Sequence, residues 1–121
     1  MGTSAAELHR RGVDEANRRQ YAAALRTLTT AAARTDDPEL RARIAGTRAY
    51  ALGQTGRPDA AEQLCREALA QPGLGDGTRA VLAGQLGTLL MHSGRATEAE
   101  PWLSDAIAGM RDAPGERASC L

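Results

Sequence analysis

Apolar residues recur along this chain at spacings of three and four, the interval that puts side chains on one face of a helix. Leu8, Gly12 and Ala16 form the first such face, and Tyr21, Ala24, Leu25, Leu28, Ala31 and Ala32 the second. Leu40, Ile44, Ala45, Ala49 and Leu52 make a third, and Ala61, Leu64, Cys65, Ala68 and Leu69 a fourth. Val81, Leu82, Leu86, Leu89 and Leu90 follow, then Ala99, Trp102, Leu103, Ala106, Ile107 and Met110. The pattern predicts six helices near residues 4–18, 20–34, 38–54, 58–71, 77–92 and 95–111.

The breaks between these faces carry helix-start chemistry. Ser4 with Glu7 fits a capping box. Asp37 is placed to cap the third helix, with Pro38 at its first position, where a missing N–H costs nothing. Gly56-Arg57-Pro58 and Gly94 make turns. The longest loop is Pro72-Gly73-Leu74-Gly75-Asp76-Gly77, with Asp76 the expected cap of the fifth helix. Pro101, in the second turn of the sixth helix, removes one hydrogen bond and should bend the helix start.

One small residue returns at a fixed interval. Ala24, Ala61 and Ala99 stand 37 and 38 residues apart. A period in this range marks a stack of helical repeats, in which each unit buries its apolar face against its neighbours. The units run 4–35, 38–72 and 76–111, and 114–121 reads as the start of a truncated further helix, all within one domain over 1–121.

Composition sharpens this picture. A length of 121 residues allows about one small domain. Hydrophobic residues make up 42%, but aromatics only 2% and Phe is absent, so the core is built from Ala and Leu. Abundant Ala with little Val or Ile favours an all-α fold. Every basic residue is Arg, which with the many Ala and Gly fits a high-GC bacterial genome. A net charge of zero argues against general nucleic-acid binding. Residues 1–60 hold 10 Arg and 7 acids, whereas 61–121 hold 5 Arg and 8 acids. Solvated helix faces account for that asymmetry, and head-to-tail association or a polar partner is the sharper reading. No signal peptide and no apolar run of about 18 residues is present, so a cytoplasmic location without membrane contact is expected.

Catalytic patterns are missing. Cys65 and Cys120 lack metal-ligand spacing, and Cys65 falls on an apolar face as a small core residue. His9 and His92 lie in different units without the four ligands of a structural zinc site. Ser93 beside His92 is adjacency, not a triad. Gly73, Gly75 and Gly77 follow no strand and precede no Gly-Lys-Ser/Thr, so they form no phosphate loop. Arg10, Arg11, Arg18 and Arg19 make a basic cluster that a solvated face explains. No enzyme activity, metal or cofactor is expected.

These units resemble the tetratricopeptide repeat, a helix–turn–helix motif of about 34 residues. In the third unit Leu86-Gly87 and Leu90 match the first-helix pattern, Gly94 the turn, and Ala99, Leu103 and Ala106 the close crossings of the second helix. Ala49, Leu52, Gly56, Ala61, Cys65 and Ala68 repeat it in the second unit. Leu8, Gly12, Ala24, Leu28 and Ala31 do so in the first, where Glu15 and Arg19 replace the large apolar residue and the turn glycine. The run Glu98-Ala99-Glu100-Pro101-Trp102-Leu103 resembles longer-period bacterial repeats, which often precede another domain, such as a CHAT-type peptidase or a transcription activator.

The resemblance implies a right-handed superhelical stack of about three helix pairs. It implies a non-catalytic protein–protein interaction module, part of a larger signalling or regulatory protein; the alternative is a self-associating structural module. In the family the first helix of each pair lines a concave groove for peptides. By register that face carries His9, Arg10, Val13 and Asn17, then Arg43, Thr47, Tyr50 and Gln54, then Gln85, Thr88, Met91 and His92. Arg43, Thr47, Tyr50, Gln85 and Thr88 are the expected partner contacts. Arg43 can give charge-assisted bonds to an acidic group, and Tyr50 offers a rigid surface with a polar tip. Gln85 and Thr88 can bond an extended backbone. The Lys/Asn clamp that some members use for a terminal carboxylate is absent. Trp102, Ile107 and Met110 on the sixth helix form an apolar end, a candidate surface for a homo-oligomer.

Overall fold

The computed structural model describes residues 3–112, with side chains as far as Gly109, so Cys120, the segment 114–121 and the Met110 side chain lie outside it. The described residues form an all-α fold of six helices: α1 (Ala5–Asn17), α2 (Tyr21–Ala33), α3 (Pro38–Gln54), α4 (Pro58–Leu69), α5 (Asp76–His92) and α6 (Ala96–Asp112). α4 stops at Leu69, two residues before the expected end. Pro72 explains this, because the ring of a proline disfavours helical backbone at the residue before it. α6 runs unbroken through Pro101.

Two helix starts follow the local signals. Ser4 accepts a hydrogen bond from the Glu7 N–H at 3.2 Å, and Asp37 accepts from the Glu39 N–H at 3.2 Å. The third differs. Asp76 is the first helical residue of α5, and the cap position belongs to Gly75, which has no side chain to offer. A carboxylate from another helix takes over. Glu39, on α3, accepts from the Gly75 N–H through Oε1 at 2.8 Å and from the Thr78 hydroxyl through Oε2. Glu39 thereby does for the Gly75 N–H what the N3 side chain does in a capping box, from a different helix.

The turns inside the three helix pairs share one backbone geometry. Arg19, Gly56 and Gly94 have φ of 62°, 78° and 75°. After each, an N–H reaches back to a carbonyl five residues earlier: Gln20 to Glu15 at 2.8 Å, Arg57 to Leu52 at 2.9 Å and Arg95 to Leu90 at 2.8 Å. These bonds satisfy carbonyls that a helix end leaves open. Arg19 takes the left-handed conformation despite its Cβ, at a cost of about 1 kcal/mol, because the same hydrogen bonds hold it there.

Each helix packs on the next, and α1 with α3 and α3 with α5 are also in contact, so the odd-numbered helices form a continuous layer. Ala24, Ala61 and Ala99 are completely buried. So are Leu28, Ile44, Leu82, Leu86 and Leu90, the largest core side chains, nearly or wholly without solvent contact. Glycine admits close approach at corresponding places of the first and third pairs. A Cβ on Gly12 would sit 2.5 Å from Cδ2 of Leu28, and one on Gly87 would sit 2.6 Å from Cδ2 of Leu103. By spacing, Ala49 and Cys65 occupy the corresponding places of the middle pair: the first residue is larger there and the second smaller. Cys65 is fully buried, and loss of hydration pushes its thiol up to about 12, so it carries no reactive thiolate.

The apolar end on α6 is smaller than the sequence implies. Trp102 and Leu103 are partly buried against the core, and the Arg66 guanidinium lies 6.0 Å from the Trp102 ring centre. Ile107, 62% exposed, is the part of that surface open to solvent among the described side chains.

Candidate functional site: a groove on the odd-numbered helices

Residues 43, 47, 50 and 54 share a face of α3, and 81, 85, 88 and 92 share the matching face of α5, since each set steps by three or four. Two cavities open between these faces. One, of about 510 Å³, is lined by His9 of α1, Arg43 and Thr47 of α3, and Val81 and Gln85 of α5. The other, of about 460 Å³, is lined by Tyr50 and Gln54, by Val81, Gln85, Thr88 and His92, and by Leu103 of α6. Val81 and Gln85 border both, so the two form one groove.

Arg43, Thr47, Tyr50, Gln85 and Thr88 therefore stand together on this groove, with His9, Gln54 and His92. Arg10, Val13, Asn17 and Met91 do not line it. Val81, counted with the apolar residues of the fifth helix in the sequence, is 51% exposed at the groove's centre. The signal for it was present: Val81 lies four residues before Gln85 and seven before Thr88, on the same helical face, whereas Met91 is rotated off it. Glu39, Gly75 and Thr78, which wall the first cavity, were also missed. They come together only when the α4–α5 loop folds back on α3.

The first cavity is polar and carries one cation, Arg43, and one carboxylate, Glu39. Thr47 Oγ1 is hydrogen-bonded to His9 Nε2 at 3.0 Å and lies 3.3 Å from the Arg43 carbonyl, an acceptor for its hydroxyl. Burial, and then the nearby Arg43 cation, hold the His9 pKa below its ordinary value. Arg11, Arg18, Arg66 and Arg95 make ion pairs, but Arg43 makes none among the described residues.

The second cavity is more apolar. Tyr50, 45% exposed, is braced by Tyr21, the rings 6.2 Å apart and edge-on at 67°. Thr88 donates to the Gly84 carbonyl at 2.9 Å and keeps its lone pairs free. Where the cavities meet, Gln85 Oε1 is buried with no hydrogen-bond partner. Leaving a buried acceptor unpaired costs about 1–3 kcal/mol, so a turn of the Gln85 amide toward the groove and a donor there is favoured.

Glu39 titrates with consequences for this wall. Hydrogen bonds from the Gly75 N–H and the Thr78 hydroxyl hold its carboxyl below the usual glutamate value, against a smaller opposing effect of burial. A lowered native pKa stabilises the fold above the unfolded value near 4.5 and stops doing so as pH falls through the native one. Glu39→Gln is therefore expected to lower the melting midpoint at pH 7 and to change it much less at pH 3. Equal losses at both pH values, read by circular dichroism, would show that the carboxylate charge does not hold the cap.

Among the described residues, no group of three His, Cys, Asp or Glu stands close enough to hold a metal ion, and no helix is long and apolar enough to cross a membrane. No protein-family model matches the chain, and no match was found among curated proteins or solved structures.

Proposed function

We propose that this chain is a cytoplasmic, tetratricopeptide-like repeat module that binds an extended segment of a protein partner, without catalysis, as the recognition part of a larger signalling or regulatory chain. The spacing of Ala24, Ala61 and Ala99, all fully buried, and the shared geometry of the three turns support the repeat reading. One observation carries the binding reading: a continuous groove on the odd-numbered helices with an unpartnered acceptor, Gln85 Oε1, at its midpoint. With the Gln85 amide turned into the groove, a backbone N–H of an extended segment satisfies that oxygen. Arg43 favours an acidic side chain at one end of the groove, and Tyr50 with Val81 an apolar one at the other.

Selection from a random-peptide display library is the test. Peptides pairing an acidic with an apolar residue are expected to be enriched. Arg43→Ala with Tyr50→Ala should weaken their binding about tenfold or more, since each anchor removed costs on the order of 1–2 kcal/mol. The helical spectrum should be unchanged. No enrichment, or equal binding by the double variant, overturns the groove as the binding surface.

The exposure of Ile107 favours a second reading, association of two copies through α6. Light scattering over a dilution series separates the two, because a peptide-binding monomer keeps a constant mass.

A further inference from the structure

A third cavity lies where α2, α3 and α4 meet, lined by Arg41, Ala45 and Arg48 of α3 in place of the groove residues Arg43, Thr47 and Tyr50. Its volume is about 360 Å³. The junction of α4, α5 and α6 has a cavity at the corresponding place, of about 200 Å³. The residues correspond by the 37- and 38-residue spacing: Ala32 to Leu69, Arg41 to Arg79, Leu64 to Trp102, and Glu67 to Asp105. Comparing the two shows what opens the first.

At the second junction, large side chains fill the space. Leu69 and Trp102 stand where the first has Ala32 and Leu64, and Arg79 is tied down, donating to the Leu69 carbonyl at 3.1 Å. At the first junction these two side chains are smaller, although Glu67 and Gln71 are longer than Asp105 and Gly109 opposite them in the comparison, and the cavity is larger, within the range of ligand pockets of about 300–1,000 Å³. One position changes in kind. Arg48 takes the place that Leu86 holds in α5, and Leu86 is completely buried. Arg48 is largely sunk into the same position, and its Nε is buried without a hydrogen-bond partner. Arg41 lines the cavity beside it. Two acids, Asp36 and Glu67, share the cavity without touching this pair. Neither Asp36 nor Glu67 forms an ion pair with Arg41 or Arg48, and Glu67 instead accepts from the Gln63 side chain at 3.0 Å.

A guanidinium edge pairs with a carboxylate through Nε and one Nη, two parallel bonds from a planar fork. Gln71 and Pro38 also line the cavity, and one stretch of its wall is aliphatic: Ala32, Ala42, Ala45, Leu64 and Ala68. We propose that this cavity is a second binding site, for a carboxylate on a short aliphatic stem, with Arg48 as the principal ligand and Arg41 beside it. A free short-chain carboxylic acid and a glutamate side chain of a bound protein share this chemistry.

The test reads the arginine Nε–H signals of the ¹⁵N-labelled protein at pH 7 during titration with acetate, hexanoate, hexanol and N-acetylglutamate methylamide. A saturable shift of the Arg48 signal is expected with hexanoate or with the glutamate derivative, and whichever saturates at lower concentration identifies the source. Its half-saturation should lie at least tenfold below that of acetate, with no response to hexanol and none at Arg79. Arg48→Leu, which installs the residue found at the second junction, should abolish the accompanying backbone-amide shifts. Ala32→Leu, which fills the cavity and keeps Arg48, should abolish the Arg48 response and guards against misfolding of the first variant. A linear response that never saturates, equal shifts at Arg48 and Arg79, or an Arg48 response that survives Ala32→Leu overturns the proposal.

Discussion

Ala99→Leu is expected to lower the melting midpoint by roughly 4–12 °C, from an overpacking cost of about 1–3 kcal/mol at roughly 4 °C per kcal/mol. Ala99 has no exposed surface, and its carbonyl oxygen lies 3.4 Å from where a Cβ on Gly87 would stand. Three added carbon atoms at that crossing have nowhere to go without moving α6 away from α5. Ala108→Leu is the control, on the same helix but at an exposed position, and should leave the midpoint nearly unchanged. Equal midpoints for wild type and Ala99→Leu would show that the crossing is looser than its burial indicates.

Gly12→Ala is the second large effect, and its partner makes it a sharper test. Alanine gains about 1 kcal/mol of helix propensity over glycine, so an exposed site would be stabilised. Here the added Cβ would meet Leu28 at 2.5 Å, and Leu28 is completely buried with no room to retreat. The clash, costing about 1–3 kcal/mol, is expected to win. The middle pair shows the compensation, with Ala49 facing the place where Cys65 replaces a leucine. Leu28→Cys should therefore cost clearly less in the Gly12→Ala background than in wild type, a coupling of at least about 0.5 kcal/mol in a double-mutant cycle. Additive costs would mean that the two positions do not share one packing constraint.

The helices were legible because their signal is periodic and local. Leu40, Ile44, Ala49 and Leu52 announce α3 at helical spacing, and Asp37-Pro38 announces where it begins. The turn at Arg19 was harder to read, since the local signal for a left-handed residue is glycine and the hydrogen bonds that hold Arg19 involve its neighbours. The groove was legible to the extent that helical register reaches: Arg43, Thr47, Tyr50, Gln85 and Thr88 were found by counting along two helices. What register cannot supply is the contact between distant segments. The cap of α5 by Glu39, the pairing of His9 with Thr47, and the hollow beside Arg48 each depend on side chains 36 to 39 residues apart in sequence or on the volumes of neighbours across a junction.

The origin of the α5 cap gives the fold a direction of failure. α3 begins with its own Asp37, so detachment of α5 and α6 leaves its first turn hydrogen-bonded. α5 begins with Gly75 and borrows Glu39, so displacement of α3 leaves the Gly75 N–H and the Thr78 hydroxyl without their acceptor. Partial openings of a protein follow cooperative units of this kind. In amide hydrogen exchange, the start of α5 exchanges whenever α3 opens, while the start of α3 can remain protected through an opening of the C-terminal pair. Unfolding spreads more readily from the N-terminal side toward the C-terminal side than in reverse.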